Sequence, residues 1–258
     1  MWIECYYRPP HTVHASRETA CYHGPMHDVS SALPVAPGSL KIIACAVLKD
    51  EVLRVAPPDV EIEFIDGLLH NYPDRMRATL QEHISATPGE RTILLCCGRC
   101  SNGSAGIQAG PHRLVLPAVD DCVAILLGSR ARYLSEFAAQ PGTFYYTRGW
   151  IEQLEDPYRE YLKIVPKYGA ERAAEIARLI LENYTRLAVI DTGTYPLDKY
   201  RDYLDTVCRF YDLPLEVLTG SLRLLEKLMS GPHDEEFIVV EPGEKLDESR
   251  FWALSASD

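Results

Sequence analysis

Between Arg91 and Gly110 the chain reads RTILLCCGRCSNGSAGIQAG, and this stretch narrows the choice of folds more than any other. Thr92 to Cys96 is a short apolar run rich in strand formers. It stops at Gly98 and gives way to a loop of small residues that holds Cys100 together with Gly103, Gly106 and Gly110. Open α/β sheets place their ligands where a buried strand runs into such a loop. Backbone approaches closely where side chains are absent, and neighbouring strand ends deliver side chains to the same rim. Cys100 is therefore expected to belong to a converging set of thiols and imidazoles.

The rest of the chain fits that frame. Lys41 to Leu48 (KIIACAVL) reads as a first core strand with Cys45 near its end, followed by a short helix, LKDEVLRVA. Val60 to Leu69 reads as a second strand running up to His70, and Pro73-Asp74 starts a helix with Met76, Leu80 and Ile84 on one stripe. Arg113 to Val119 is a fourth strand that delivers Asp120, Asp121 and Cys122 to the head of a helix, VAILLGSRARYLSEFAA. Gly142 to Tyr146 is a fifth. Helical segments IEQLEDPYREYLKIV and AERAAEIARLILENY follow, the second with a stripe of Ala174, Ala177, Ile180 and Leu181. Strands at Arg186 to Asp191, Leu215 to Gly220 and Phe237 to Pro242 alternate with further helices. This alternation predicts an α/β fold: a largely parallel sheet with helices on both faces, a Rossmann-like three-layer sandwich.

Residues 1–39 carry Pro9, Pro10, Pro25, Pro34 and Pro37 without sustained periodicity, and are expected to form an irregular extension. Cys21, His23 and His27 lie there, at a spacing that matches no standard zinc pattern. Residues 40–258 are expected to form a single α/β domain, with two lobes as a variant. A chain of 258 residues with 47% apolar content can bury a substantial core. Its net charge of −11 argues against nucleic acid and anionic membrane surfaces as partners. No apolar run approaches the ~20 residues of a membrane span, and MWIECYYRPPHTVH lacks a signal-peptide core. The expected location is cytoplasmic, where eight cysteines point to metal binding, catalysis or burial rather than disulfides.

In a parallel sheet the C-terminal strand ends share one edge, so Cys45, His70, Cys100 and Cys122 are expected to meet there. Three sulfurs and an imidazole suit zinc and other borderline-soft ions. The helix following Asp121 is expected to help hold Cys122 as a thiolate. Cysteine in an apolar strand is ordinarily just small core, which is the reading for Cys96, Cys97 and Cys208 and, taken alone, for Cys45. His70 taken alone reads equally as a loop histidine. Gly103, Ser104 and Gly106 are candidates to cradle a cofactor phosphate through backbone amides, although their spacing fits neither the dinucleotide fingerprint nor a Walker loop. Asp120 and Asp121 suit a helix cap; the alternatives are a general base or a carboxylate that orients His70. The candidate catalytic residues are Cys100, Cys122 and Asp121. Neither a G-x-S-x-G elbow nor H-E-x-x-H is present.

The succession ACAVLKDEV, LLHNYPDRM, CCGRCSNGSAG, RLVLPAVDDCVAILLGSRARY and PGTFYYTRGW resembles the uncharacterised family labelled domain of unknown function 1638, over roughly Lys41 to Gly220. In that family the positions matching Cys45, His70, Cys100 and Cys122 occur in the same order. The resemblance implies, through the corrinoid-dependent methyltransferase genes near which members lie, a part in one-carbon or methyl-transfer metabolism. Three expectations follow. The first is a zinc-binding protein that, if an enzyme, is a metal-dependent methyl transferase acting on a small molecule. The second is a non-catalytic accessory protein that carries a metal or corrinoid, or docks on a corrinoid protein or methyltransferase. The third is a metal-free enzyme with a cysteine nucleophile.

Overall fold

The computed structural model describes residues 39–251, so Cys21, His23 and His27 lie outside the described residues. The first half runs β1 (Leu40–Cys45), α1 (Lys49–Val55), β2 (Glu61–Ile65), α2 (Pro73–Ala86), β3 (Thr92–Cys96), β4 (Arg113–Pro117), α3 (Cys122–Leu127) and α4 (Arg130–Ala139). The second runs β5 (Thr143–Tyr146), α5 (Arg148–Gln153), α6 (Pro157–Tyr168), α7 (Ala170–Ile180), β6 (Arg186–Asp191), α8 (Arg201–Tyr211), β7 (Leu215–Thr219), α9 (Arg223–Ser230) and β8 (Phe237–Val240). Single 3₁₀ turns follow β1 (Ala46–Leu48) and β2 (Gly67–Asn71).

The α/β architecture and the dominance of parallel pairing are those implied by the sequence. The strands, however, divide between two sheets. One has the order β2-β1-β3-β4-β8, parallel except for β8; the other is β5-β6-β7, wholly parallel. Alternation along each strand sorts the core. Ile42, Ala44, Leu94, Cys96 and Val115 face one side of the larger sheet; Ile43, Ile93, Leu95, Leu114 and Leu116 face the other. The second side is covered by Met76, Leu80 and Ile84 of α2. The first is covered by α3, by α9 and by Tyr145, Ala188, Ile190 and Leu218 of the smaller sheet. The smaller sheet turns Phe144, Tyr146, Leu187 and Val189 towards α5 and α8. Each fully buried Leu or Ile here contributes about 1.5–3 kcal/mol.

Several boundaries differ from the sequence reading, each for a local reason. The first strand ends at Cys45 and the second at Ile65, where Asp66 caps a 3₁₀ turn by accepting from Leu68 N at 2.9 Å. The long helix expected after Asp121 is broken at Gly128, which closes α3 at φ +86. A Cβ there would lie 2.6 Å from the Ser221 side chain. IEQLEDPYREYLKIV is likewise two helices, because Asp156 caps α6 by accepting from Arg159 N at 2.9 Å and Pro157 occupies its first position. On α7 the buried stripe is Ala173 and Ala177, with Leu181 just beyond, one residue out of phase with the reading at Ala174. Among the described residues no helix is long and apolar enough to cross a membrane.

Candidate functional site

The C-terminal ends of β1, β3 and β4 converge, and the pairing between the second and third of these continues past the strands. Arg99 N donates to Val119 O at 2.9 Å and Cys100 N to Asp120 O at 2.8 Å. These two bonds carry Cys100 alongside the start of α3, where Cys122 stands. Gly98 permits the approach: a Cβ on it would lie 2.8 Å from Asp121 N and 2.9 Å from Val119 O.

Beyond Gly98 the chain turns through three consecutive residues in the left-handed region, Cys100 (φ 46), Ser101 (φ 55) and Asn102 (φ 69). None is glycine, so the turn costs about 1–2 kcal/mol per residue, and surrounding contacts must hold it. Arg77 on α2 does so, donating from Nε to Ala105 O at 2.5 Å and from Nη2 to Asn102 O at 3.0 Å. Gly103 packs on Met76, with room for no Cβ. Strain of this kind, fastened from behind, concentrates at functional sites.

His70 enters from the 3₁₀ turn after β2. Its Nδ1 lies 2.6 Å from Gly67 O; a carbonyl can only accept, so Nδ1 carries the proton and Nε2 the lone pair. Nε2 is buried and has no hydrogen-bond partner. Burial lowers the pKa of this imidazole, keeping it neutral. Trp150 of α5 ties it to the thiols: the His70 and Trp150 ring centroids are 5.4 Å apart, and Trp150 Nε1 donates to Cys122 Sγ at 3.5 Å. Cys45 lies near Gly67: a Cβ built on that glycine would stand 3.9 Å from the Cys45 sulfur.

The thiols form one electrostatic group. Burial is the main cause that pushes each one up: Cys45 to about 11, Cys97 to about 12, Cys100 and Cys122 far above the ordinary thiol range. Next come their neighbours, since ionised Cys97, Cys122 and Cys45 would each repel a Cys100 thiolate, and Asp121 and Cys45 a Cys122 thiolate. The expectation that the α3 N-terminus would favour a Cys122 thiolate is corrected: Asp121 already caps that short helix, and its carboxylate together with burial opposes a second negative charge. Cys45, Cys100 and Cys122 remain partly accessible, whereas Cys96 and Cys97 are fully buried. Among the described residues, no group of three or more His, Cys, Asp or Glu side chains is placed so that it could hold a metal ion.

Asp121 accepts through Oδ1 from Val123 N at 2.9 Å and Ala124 N at 3.4 Å, so it is the cap. Burial, then Asp120, raises its carboxyl to about 6. His70 is oriented by the Gly67 carbonyl rather than by either aspartate. Asp120 lies between Arg99 at 3.3 Å and Arg130 at 3.7 Å. The candidate phosphate cradle is turned inward: Gly103 N donates to Cys100 O, Ser104 N to Arg99 O and Gly106 N to Leu246 O, and the Ser104 hydroxyl donates to Gly98 O.

Sequence reasoning missed Trp150, Gly67, Arg77 and the share of Cys97 in the thiol group. Only CCGRC, with Cys97 three residues before Cys100, carried a visible signal for any of them.

No curated protein and no solved structure matches this chain. A family model described as a protein of unknown function (DUF1638) matches residues 64–229, which takes in His70, Cys100, Cys122 and Trp150 but not Cys45. With well over half its length matched, the chain belongs to the DUF1638 family.

Proposed function

We propose that this protein holds a borderline-soft divalent metal, zinc foremost, through Cys45, Cys100, Cys122 and Nε2 of His70, and uses it in transferring a methyl or other one-carbon group. The observation that carries the metal half is the state of His70. Its Nδ1–H is committed to a backbone carbonyl and its Nε2 lone pair is buried with no partner. A carbonyl behind the ring is how proteins fix the tautomer of a metal-ligating histidine. A buried polar atom left unsatisfied costs about 1–3 kcal/mol, which a metal–nitrogen bond offsets.

The thiols support the same reading. An ion deprotonates them, offsetting the burial that chiefly holds their pKa values high and, at Cys100 and Cys122, the neighbouring negative charge. When bound, the metal supplies Lewis acidity and holds a thiol or other small nucleophile as its anion. The metal-free nucleophile is the weaker reading, because thiols pushed this far up are protonated and unreactive at neutral pH. The methyl-transfer half rests on the family's association with corrinoid-dependent methyltransferase genes. The cytoplasmic setting rests on the six described cysteines being unbridged.

Elemental analysis of freshly purified protein tests the metal half. The expected result is about one zinc per chain, lost in Cys100→Ser and in Cys122→Ser. Sub-stoichiometric metal, unchanged by either substitution, overturns it.

A further inference from the structure

The smaller sheet ends on an open strand. β7 stands at the edge of the order β5-β6-β7, with Glu216, Val217 and Thr219 exposed, Val217 to 46%. Leu187 N donates to Pro214 O at 2.9 Å and Gly220 N to Asp191 O at 2.6 Å, so Pro214, Glu216, Leu218 and Gly220 are the positions that bond inward to β6. Leu215, Val217 and Thr219 therefore turn their N–H and C=O groups outward, with no partner among the described residues. We propose that β7 pairs with β7 of a second copy of this chain, antiparallel about a two-fold axis at Val217, so that two three-stranded sheets become one continuous sheet. The pairing involves none of the four proposed metal ligands.

The strand itself selects a second copy as its occupant. With Val217 facing the partner's Val217, Leu215 falls opposite the partner's Thr219, and Thr219 opposite the partner's Leu215. These are the three outward-facing positions, so every free N–H and C=O along the edge is matched. Sliding the register two residues either way leaves one of the three on each strand unmatched. The two exposed valines cover one another across the axis, a β-branched pair of the kind that stabilises sheets. Glu216, the one charged residue of the strand, lies opposite the partner's Leu218 and not opposite the partner's Glu216; within its own chain it is neutralised by Arg186. Sheet edges that must stay single are guarded by proline or charge. β2, at an edge of the larger sheet, follows Pro57, Pro58 and Asp59 and carries Glu61 and Glu63. β7 has neither a proline nor a lysine between Leu215 and Thr219.

The test is sedimentation velocity of the full chain from about 5 to about 200 μM, in about 0.3 M salt. That salt screens the repulsion between two chains of net charge −11. A concentration-dependent dimer is expected, with a dissociation constant of about 1–100 μM, as suits a small interface. Val217→Lys sets two ammonium groups opposite each other and is expected to weaken the dimer at least about tenfold. Val217→Thr, which keeps the β-branched shape, is expected to hold it within about threefold of the parent. Val217→Cys serves if the lysine variant misfolds. Residues directly opposite stand about 5.5 Å apart at Cα, within disulfide reach, so diamide is expected to take two hydrogens from the paired thiols and leave a covalent dimer. Thr219→Cys, whose counterpart lies four residues further along the partner strand, is expected to cross-link no more than the parent. A monomer at every concentration, a dimer indifferent to Val217→Lys, or equal cross-linking at the two positions overturns the proposal.

Discussion

The indole Nε1–H of Trp150 donates to the Cys122 sulfur across 3.5 Å, joining α5 to the head of α3 where two sheets meet. The bond is weak to a thiol and strengthens to a thiolate, so in the proposed metal site Trp150 would favour the ionised form of the ligand it touches. Trp150→Phe keeps most of the apolar contact and removes the donor. Its expected effect is a fall of about 10–100-fold in zinc affinity, the usual consequence of losing a group that supports a metal ligand. Competition against a chromophoric chelator measures it; an unchanged affinity removes Trp150 from the site.

Gly149 sets the approach of α5 to the turn after β1. A Cβ there would lie 1.9 Å from Val47 O, a backbone atom that cannot step aside. At Gly67 the nearest atom, at 2.8 Å, is a methyl of the Val47 side chain, which can rotate. Gly149→Ala is therefore expected to cost about 3 kcal/mol or more, and Gly67→Ala about 1 kcal/mol. Urea unfolding midpoints give the order, and a reversal would show that α5 does not seat as described.

Glu236 joins β8 to α9 through Arg223 and through Lys227 at 2.7 Å. The Arg223 bond, opposed by partial burial and supported by Lys227, holds its carboxyl at about 2, below the usual 4.5. The unfolded chain therefore takes up a proton before the folded one does. Stability from this group is complete above about pH 4.5 and is lost as pH falls towards 2. Glu236→Gln is expected to cost about 1–3 kcal/mol at neutral pH, with the difference from the parent vanishing at the acid end. Thermal unfolding at several pH values checks this, and a pH-independent difference would contradict it.

Chelated protein should alkylate slowly. With Cys45 pushed up to about 11, its thiolate fraction at neutral pH is negligible and grows with every step towards that value. Iodoacetamide labelling of Cys45 followed by peptide mass spectrometry is expected to run about 100-fold slower than labelling of an ordinary free thiol, and to accelerate with pH. Rapid neutral labelling would show that burial does not hold this thiol protonated.

The α/β class and the succession of strands and helices along the chain were legible because they depend on short-range patterns: apolar runs, glycine stops and alternation with helices. Cys100 could be singled out because it follows Gly98 in a loop where packing does not require a thiol. The split into two sheets was not legible, since nothing in GTFYY distinguishes a strand that joins one sheet from a strand that starts another. The Gly128 break hid inside a run with good helical spacing on both sides. Trp150 could not be placed, because its partner Cys122 is 28 residues away and the contact depends on how α5 seats against Val47. The inward turn of the Gly103, Ser104 and Gly106 amides is likewise a tertiary fact, set by Leu246 and by the left-handed turn at Cys100.

The central claim is that Cys45, Cys100, Cys122 and His70 close on one ion. X-ray absorption at the zinc edge of the zinc-loaded protein tests it most directly. The account predicts a shell of about three sulfurs near 2.3 Å with one nitrogen near 2.0 Å, the nitrogen contribution disappearing in His70→Ala. A shell of oxygen and nitrogen alone, indifferent to that substitution, would contradict it.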